Sequence, residues 1–212
     1  MSAIDEAIRT LRDDPSYAQL IHDSYLSADV TESAERFHRS TEFAEVHSLI
    51  GRYIQGGRIL DLGAGRGISS YAFCRSGAQT VYALEPDPSG EVGYGAIRRL
   101  QPGLPIQIIE ALGENIPLRD GQLDVVYARQ VLHHTRDLAR VLGECARVLK
   151  NGGVLLVCRE HVVDDEHQLA DFLSNHPVHQ LVGGENAYSL DQYLQAILGA
   201  GLQLQRLLGP WD

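Results

Sequence analysis

Apolar positions recur every three or four residues along the N-terminal part of the chain and gather into short uninterrupted runs beyond it. The first pattern predicts helices and no strand over residues 2–54. Ser2-x-x-Asp5 opens a first helix as a capping box, and Asp13-Asp14-Pro15 breaks it. A second helix is expected over 17–26 and a third over 33–54, where Phe43, Val46, Leu49, Ile50, Tyr53 and Ile54 form a core-facing stripe. Gly56-Gly57 ends it.

From Arg58 strands and helices alternate, the pattern of a parallel sheet covered on both faces. Strands are expected at 58–62, at 80–84, at 106–109, at 124–127, at 154–158 after the turn Asn151-Gly152-Gly153, and at 202–205. Between them lie helices carrying Ile68, Ala72 and Phe73, then residues 93–100, then Leu138, Val141, Leu142, Cys145, Val148 and Leu149 on one face. A helix is expected at 165–173, a polar loop from 176 to 188, and a last helix capped by Ser189-x-x-Gln192. Ligands of such sheets bind in the crevice at the C-terminal ends of the strands.

The stretch Arg58-Ile-Leu-Asp-Leu-Gly63-Ala-Gly65-Arg-Gly67 changes the picture from architecture to chemistry. A buried strand runs into a glycine turn that opens a helix, so a ligand can approach the main chain without meeting a Cβ. The spacing is G-x-G-x-G, whereas dinucleotide-binding turns favour G-x-G-x-x-G, and no Lys-Ser/Thr follows to make a P-loop.

Composition narrows the partners. The 212 residues suffice for one well-buried core, and 18 basic against 28 acidic side chains leave a formal charge of −10. With no basic run to neutralise phosphates, nucleic acid is not expected, and a small-molecule substrate is. Cys74, Cys145 and Cys158 lie in apolar segments without C-x-x-C spacing, so neither a disulfide framework nor a zinc site is indicated. No apolar leader or membrane-length run is present, so the protein is expected to be cytoplasmic and off the membrane.

Several motifs in order carry a family resemblance. The chain from Arg58 to about Leu207 resembles a class I S-adenosylmethionine-dependent methyltransferase of the small-molecule group: Leu60–Gly67 is similar to the first motif and Glu85 to the ribose-binding acid. Glu114-Asn-Ile-Pro-Leu118 with Leu123-Asp-Val-Val126 is similar to the adenine-side loop and fourth strand. Val131-Leu-His-His134 and Ala146-Arg-Val-Leu-Lys-Asn-Gly-Gly153 resemble the exit of that strand and the next turn. The resemblance implies a doubly wound, Rossmann-like α/β fold with a mostly parallel sheet, helices on both faces and S-adenosyl-L-methionine as cofactor. Residues 1–55 would be a helical extension or lid and 56–212 the cofactor-binding domain.

By the same resemblance Asp61, Gly63, Ala64 and Gly65 would hold the methionine half, Glu85 and Pro86 the ribose, and Gly113 and Glu114 the adenine edge. The backbone carbonyl of Arg129 would hold the amino group, its side chain being free to serve as a surface charge. Leu112 stands where an Asp often meets adenine, so packing and backbone groups would take over there. The family's final antiparallel strand is missing, so either the chain is truncated or a partner, a homodimer included, completes the sheet.

Methyl transfer is an in-line displacement that needs no nucleophilic residue, and a base only when the acceptor must lose a proton. Catalytic candidates are His133 and His161; substrate candidates are His176, His179, Glu185, Asn186 and Tyr188, in a loop too dense in Gly, Glu, Asn and Tyr to be filler. The alternative for the histidine pair is bracing of the loop. His176-x-x-His179 has metal-like spacing, yet no third ligand is marked and Pro177 indicates a loop turn, so no metal is expected. Tyr17 and Tyr25 are assigned to core packing rather than closure over the site. Rival functions are a methyltransferase fold kept as an inactive binding or regulatory module, and an NAD(P)-dependent oxidoreductase.

Overall fold

The computed structural model describes residues 3–100, 103–183 and 185–209. Five strands, β1 (Arg58–Leu62), β2 (Thr80–Leu84), β3 (Ile106–Ile109), β4 (Leu123–Arg129) and β5 (Leu149–Cys158), form one parallel sheet in the order β3-β2-β1-β4-β5. The order reverses at β1, so a crevice opens between the C-terminal ends of β1 and β4. The Asn151-Gly152-Gly153 turn lies inside β5 rather than before it. There the register jumps from Leu123↔Leu149 to Val125↔Val154.

Ten helices surround the sheet among the described residues: α1 (Ala3–Asp13), α2 (Ala18–Asp23), α3 (Val30–His38), α4 (Thr41–Ile54), α5 (Ile68–Arg75), α6 (Tyr94–Ile97), α7 (Leu138–Val148), α8 (Glu166–Asn175), α9 (Pro177–Val182) and α10 (Leu190–Gly199). The helix expected over 33–54 is two, because the Ser40 hydroxyl accepts the Phe43 N–H and starts a new helix after Arg39. Ser2, the proposed first cap, lies outside the described residues. The Ser189–Gln192 capping box is present on α10 as expected.

Two further expectations fail. The loop expected at 176–188 contains α9: Pro177 occupies its first turn, where a missing N–H costs nothing, and the His176 ring accepts the His179 N–H. The sixth strand is absent, and residues 202–209 have no regular structure. Leu202 packs under α7 and α10, while Leu204, Leu207 and Leu208 are exposed. Period-2 alternation makes a strand only where a sheet edge pairs it, and among the described residues none pairs the outer edge of β5.

The core has two layers. On one face Phe37, Phe43, Val46, Ile50 and Ile54 of α3 and α4 pack with Ile59, Ala72, Phe73, Val81 and Tyr127. On the other, α7 lays Val141, Leu142, Cys145 and Val148 against Leu60, Leu62 and Val126. Tyr25 belongs to the first layer, its ring set edge-on to Phe37. Tyr17 packs beside Ile8, Leu11 and Ile21 in a smaller cluster. No described helix is long and apolar enough to cross a membrane.

Candidate functional site

The glycine turn leaves β1 at the crevice. Gly63 has φ +61°, and a Cβ there would lie 2.1 Å from the Val131 side chain beyond β4. Gly65 has φ +52°, and a Cβ would lie 3.3 Å from the Val92 carbonyl oxygen. Both conformations disfavour any residue with a side chain. The turn therefore touches the β4 exit on one side and the segment after β2 on the other.

Acidic groups line it. Asp61, 2% exposed, accepts a 2.6 Å hydrogen bond from the Ser70 hydroxyl on α5. Burial, opposed by that bond, pushes its pKa up to about 7. At the end of β2, Glu85 Oε2 accepts the Gly65 N–H at 2.8 Å and Oε1 accepts the Asp87 N–H at 2.9 Å. Burial still holds its pKa above the ordinary value against those two bonds. Each carboxylate oxygen keeps a lone pair free for a further donor.

The expected adenine side is built from the segment after β3. Gly113 lies against Leu62 and Val141, and Glu114 Oε1 accepts the Arg136 N–H at 3.0 Å, which ties this loop to the start of α7. Leu112 is 53% exposed, and Pro86 is exposed at the end of β2. Arg129 corrects one expectation: its side chain is no surface charge. It pairs bidentately with Glu42 of α4, 2.5 and 3.2 Å, and packs over Tyr25 and Phe37. Arg159 reaches the same carboxylate at 2.9 Å, so α4 is pinned to the ends of β4 and β5 together.

The histidines converge beyond β4 and β5. His133, 2% exposed, places Nδ1 2.6 Å from Glu160, whose carboxylate also accepts the N–H groups of Val131, Leu132 and His133. Burial would raise the pKa of Glu160, but the His133 bond and those backbone N–H groups hold it below the ordinary value. His161 packs on Phe172 and on His133, ring centroids 4.3 and 4.9 Å apart. Burial, then the charges of His133 and His176, push its pKa down.

A parallel bridge from Val162 to Tyr188 brings the last loop over this cluster. The Tyr188 hydroxyl donates to the Thr135 carbonyl at 2.8 Å, and Glu185 lies 3.7–3.8 Å from nitrogens of His133, His134 and His176. The Glu185 N–H donates to His179 Nδ1 at 3.3 Å. Asn186 sits half-buried between them in the chain, and residue 184 lies outside the described residues.

Reading the sequence alone missed Glu42, Glu160, Glu91 and Arg66. Arg66, within the glycine turn, is 5% exposed and donates to the Tyr25 carbonyl at 2.7 Å. Its Nε and Nη2 have no hydrogen-bond partner. Burial and the nearby Arg12 charge lower its pKa to about 10. A buried guanidinium with free donors suits an anionic ligand group, and the bare Gly65 backbone suits close approach, so this turn fits an amino-acid-bearing nucleoside.

Comparison with known proteins agrees. Residues 60–157 match the family described as methyltransferase domain. A tRNA U34 carboxymethyltransferase of Alcanivorax borkumensis is 35% identical over 113 residues, 53% of this chain and 35% of that protein. A ubiquinone biosynthesis O-methyltransferase of Rhizobium etli is 27% identical over 138 residues, 65% of this chain and 54% of that protein. The chain thus spans from about a third to about half of the length of these relatives. The crystal structure of an S-adenosylmethionine-dependent methyltransferase from Mesorhizobium loti shares the fold, with a TM-score of 0.64, 19% identity, and coverage of 80% of this chain and 84% of that one. Residues 60–157 thus resemble the methyltransferase-domain family, on a sheet whose fold is shared with a solved S-adenosylmethionine-dependent methyltransferase.

Proposed function

We propose that this chain transfers a methyl group from S-adenosylmethionine to a small-molecule acceptor. The observation that carries the reading is the cradle itself: Glu85, at the end of β2, grips the Gly65 N–H and keeps lone pairs for two ribose hydroxyls. Asp61 faces the cofactor's ammonium side, Arg66 its carboxylate, Gly63 and Ala64 complete the turn, and Pro86, Gly113 and Glu114 flank the ribose and adenine. The cofactor supplies an electrophilic methyl group on a sulfonium. The chain supplies position, which is worth several kcal/mol, about 7–11 in the best intramolecular cases.

On the acceptor side, His176, His179, Glu185, Asn186 and Tyr188 form the wall, and His161 is the base for an acceptor that must lose a proton. His133, held by Glu160 through ring and backbone, braces the turn instead. A small acceptor is favoured over nucleic acid by the charge of −10. Helix α1 acts as the lid of the N-terminal extension, since its Asp5 and Arg12 hold the 89–92 segment that closes on Gly65.

Calorimetric titration with S-adenosylmethionine, S-adenosylhomocysteine and NAD tests the reading. Binding of the first two alone is expected, and Glu85→Ala should weaken it at least tenfold, the loss of bonds worth roughly 1.5–3 kcal/mol each. Unchanged affinity in that variant would defeat the ribose assignment. No binding of any of the three would leave an inactive binding module as the better reading.

A further inference from the structure

His133, His134 and Glu185 come from two segments that the sequence separates by about fifty residues, yet their ligating atoms all lie within 4.8 Å of one another. His133 Nε2 is 3.8 Å and His134 Nε2 3.7 Å from the same oxygen, Glu185 Oε2. These separations are too long for hydrogen bonds. Two ligands held about 2.0–2.2 Å from one ion at a tetrahedral angle stand about 3.4 Å apart, so each imidazole needs to close on the Glu185 oxygen by only a few tenths of an ångström.

The surroundings orient the ligands. An ionised carboxylate only accepts, so Glu160, 2.6 Å from His133 Nδ1, holds a proton on that nitrogen and makes Nε2 the ring atom that faces Glu185. A carboxylate behind a histidine in this way is the usual support of a metal-bound imidazole. The His133 and His134 rings lie 4.1 Å apart, centroid to centroid, and each presents its Nε2 to the same Glu185 oxygen. Glu185 is itself placed by its N–H bond to His179 Nδ1, and its second oxygen faces His176 Nδ1 at 3.8 Å.

We propose that His133, His134 and Glu185 bind one divalent transition-metal cation of the zinc type, with a fourth position for water or an acceptor oxygen. Two imidazoles and one carboxylate are the donor set of open zinc sites and are a poor match for magnesium or calcium, which take oxygen ligands. The site is a property of these side chains and goes beyond the methyl-transfer reading. Where that reading holds, the ion lies one short turn from Val131, which packs on Gly63, and would polarise an acceptor hydroxyl beside the cofactor.

The test uses the full chain, stripped with a chelator and titrated with Zn(II) by calorimetry and with Co(II) by visible absorption. Expected are one equivalent bound and the intense bands of four- or five-coordinate Co(II). His134→Ala and Glu185→Gln should each weaken binding at least tenfold, while His167→Ala, altering an exposed histidine on α8, should leave it unchanged. Should a variant fail to fold, paramagnetic shifts of the His133 and His134 ring protons by Co(II) in the unsubstituted chain read the same assignment. Absence of stoichiometric binding, parent-like affinity in both ligand variants, or shifts on other histidines instead would overturn the site. S-adenosylmethionine binding, measured separately, keeps that failure distinct from failure of the proposed function.

Discussion

Asp61 keeps a carboxyl where water does not reach, and this has a measurable pH signature. In the unfolded chain it ionises near its ordinary value of 3.8, and in the fold near 7. Between those values the folded state keeps a proton that the unfolded state releases, so the contribution of Asp61 to stability is fully present below 3.8 and is lost as pH rises toward 7. The difference across the window is about 4 kcal/mol for this one group. Asp61→Asn removes the slope. Its urea midpoint relative to the parent should therefore rise from pH 4.5 to pH 8, and parallel curves for the two proteins would refute a buried proton on Asp61. At this scale the sequence made Asp61 and Glu85 legible, because both stand at fixed offsets from the glycine turn. Glu42, Glu160 and Arg66 were not, because each takes its meaning from partners 41 to 117 residues away or, for Glu160, from a turn 27 to 29 residues back.

Elements are held together by a few such groups. Glu91, after β2, receives Arg9 at 3.1 Å and Arg12 of α1, and its own N–H reaches Asp5 at 3.2 Å. Burial works against this carboxylate, but the Arg12 and Arg9 bonds hold its pKa below the ordinary value. Glu91→Ala leaves the half-buried Arg12 without its carboxylate, so amides of α1 should exchange at least tenfold faster with solvent while those of β1 and β4 do not change. Equal protection of α1 in both proteins would show that the helix is held by Ile8 and Leu11 alone. Strands and caps were readable from period and spacing. The break at Ser40 carried a cap signal hidden inside a longer apolar stripe, and α9 was too short and too rich in polar groups to show a period. The alternation at 202–205 misled, because what makes a strand there is a neighbour rather than a pattern.

Over the whole molecule, the helical segment before β1 is less separable than its sequence boundary near residue 55 implies. Phe37, Phe43, Val46, Ile50 and Ile54 are buried against the sheet and α5, and Glu42 binds Arg129 at the end of β4 and Arg159 just past β5. A chain beginning at Gly56 should therefore lose cooperative unfolding and near-ultraviolet circular dichroism. Retention of both would make 56–212 a domain on its own. Burying five large side chains at about 1.5–3 kcal/mol each is comparable to the whole margin, about 5–15 kcal/mol, by which most domains are stable.

Strand order also sets the sequence of events during synthesis. β1 pairs with β2 from residue 80 but with β4 only from residue 125, and Gly63 meets Val131 later still. A nascent chain that has emerged only as far as β3 holds the glycine turn with one bank built and the other not yet emerged. The pocket for the nucleoside closes only once the strand that carries Arg129 has slotted in beside β1, with β5 added to its other edge afterwards. A complete site is thus the mark of a chain whose β4 has joined β1.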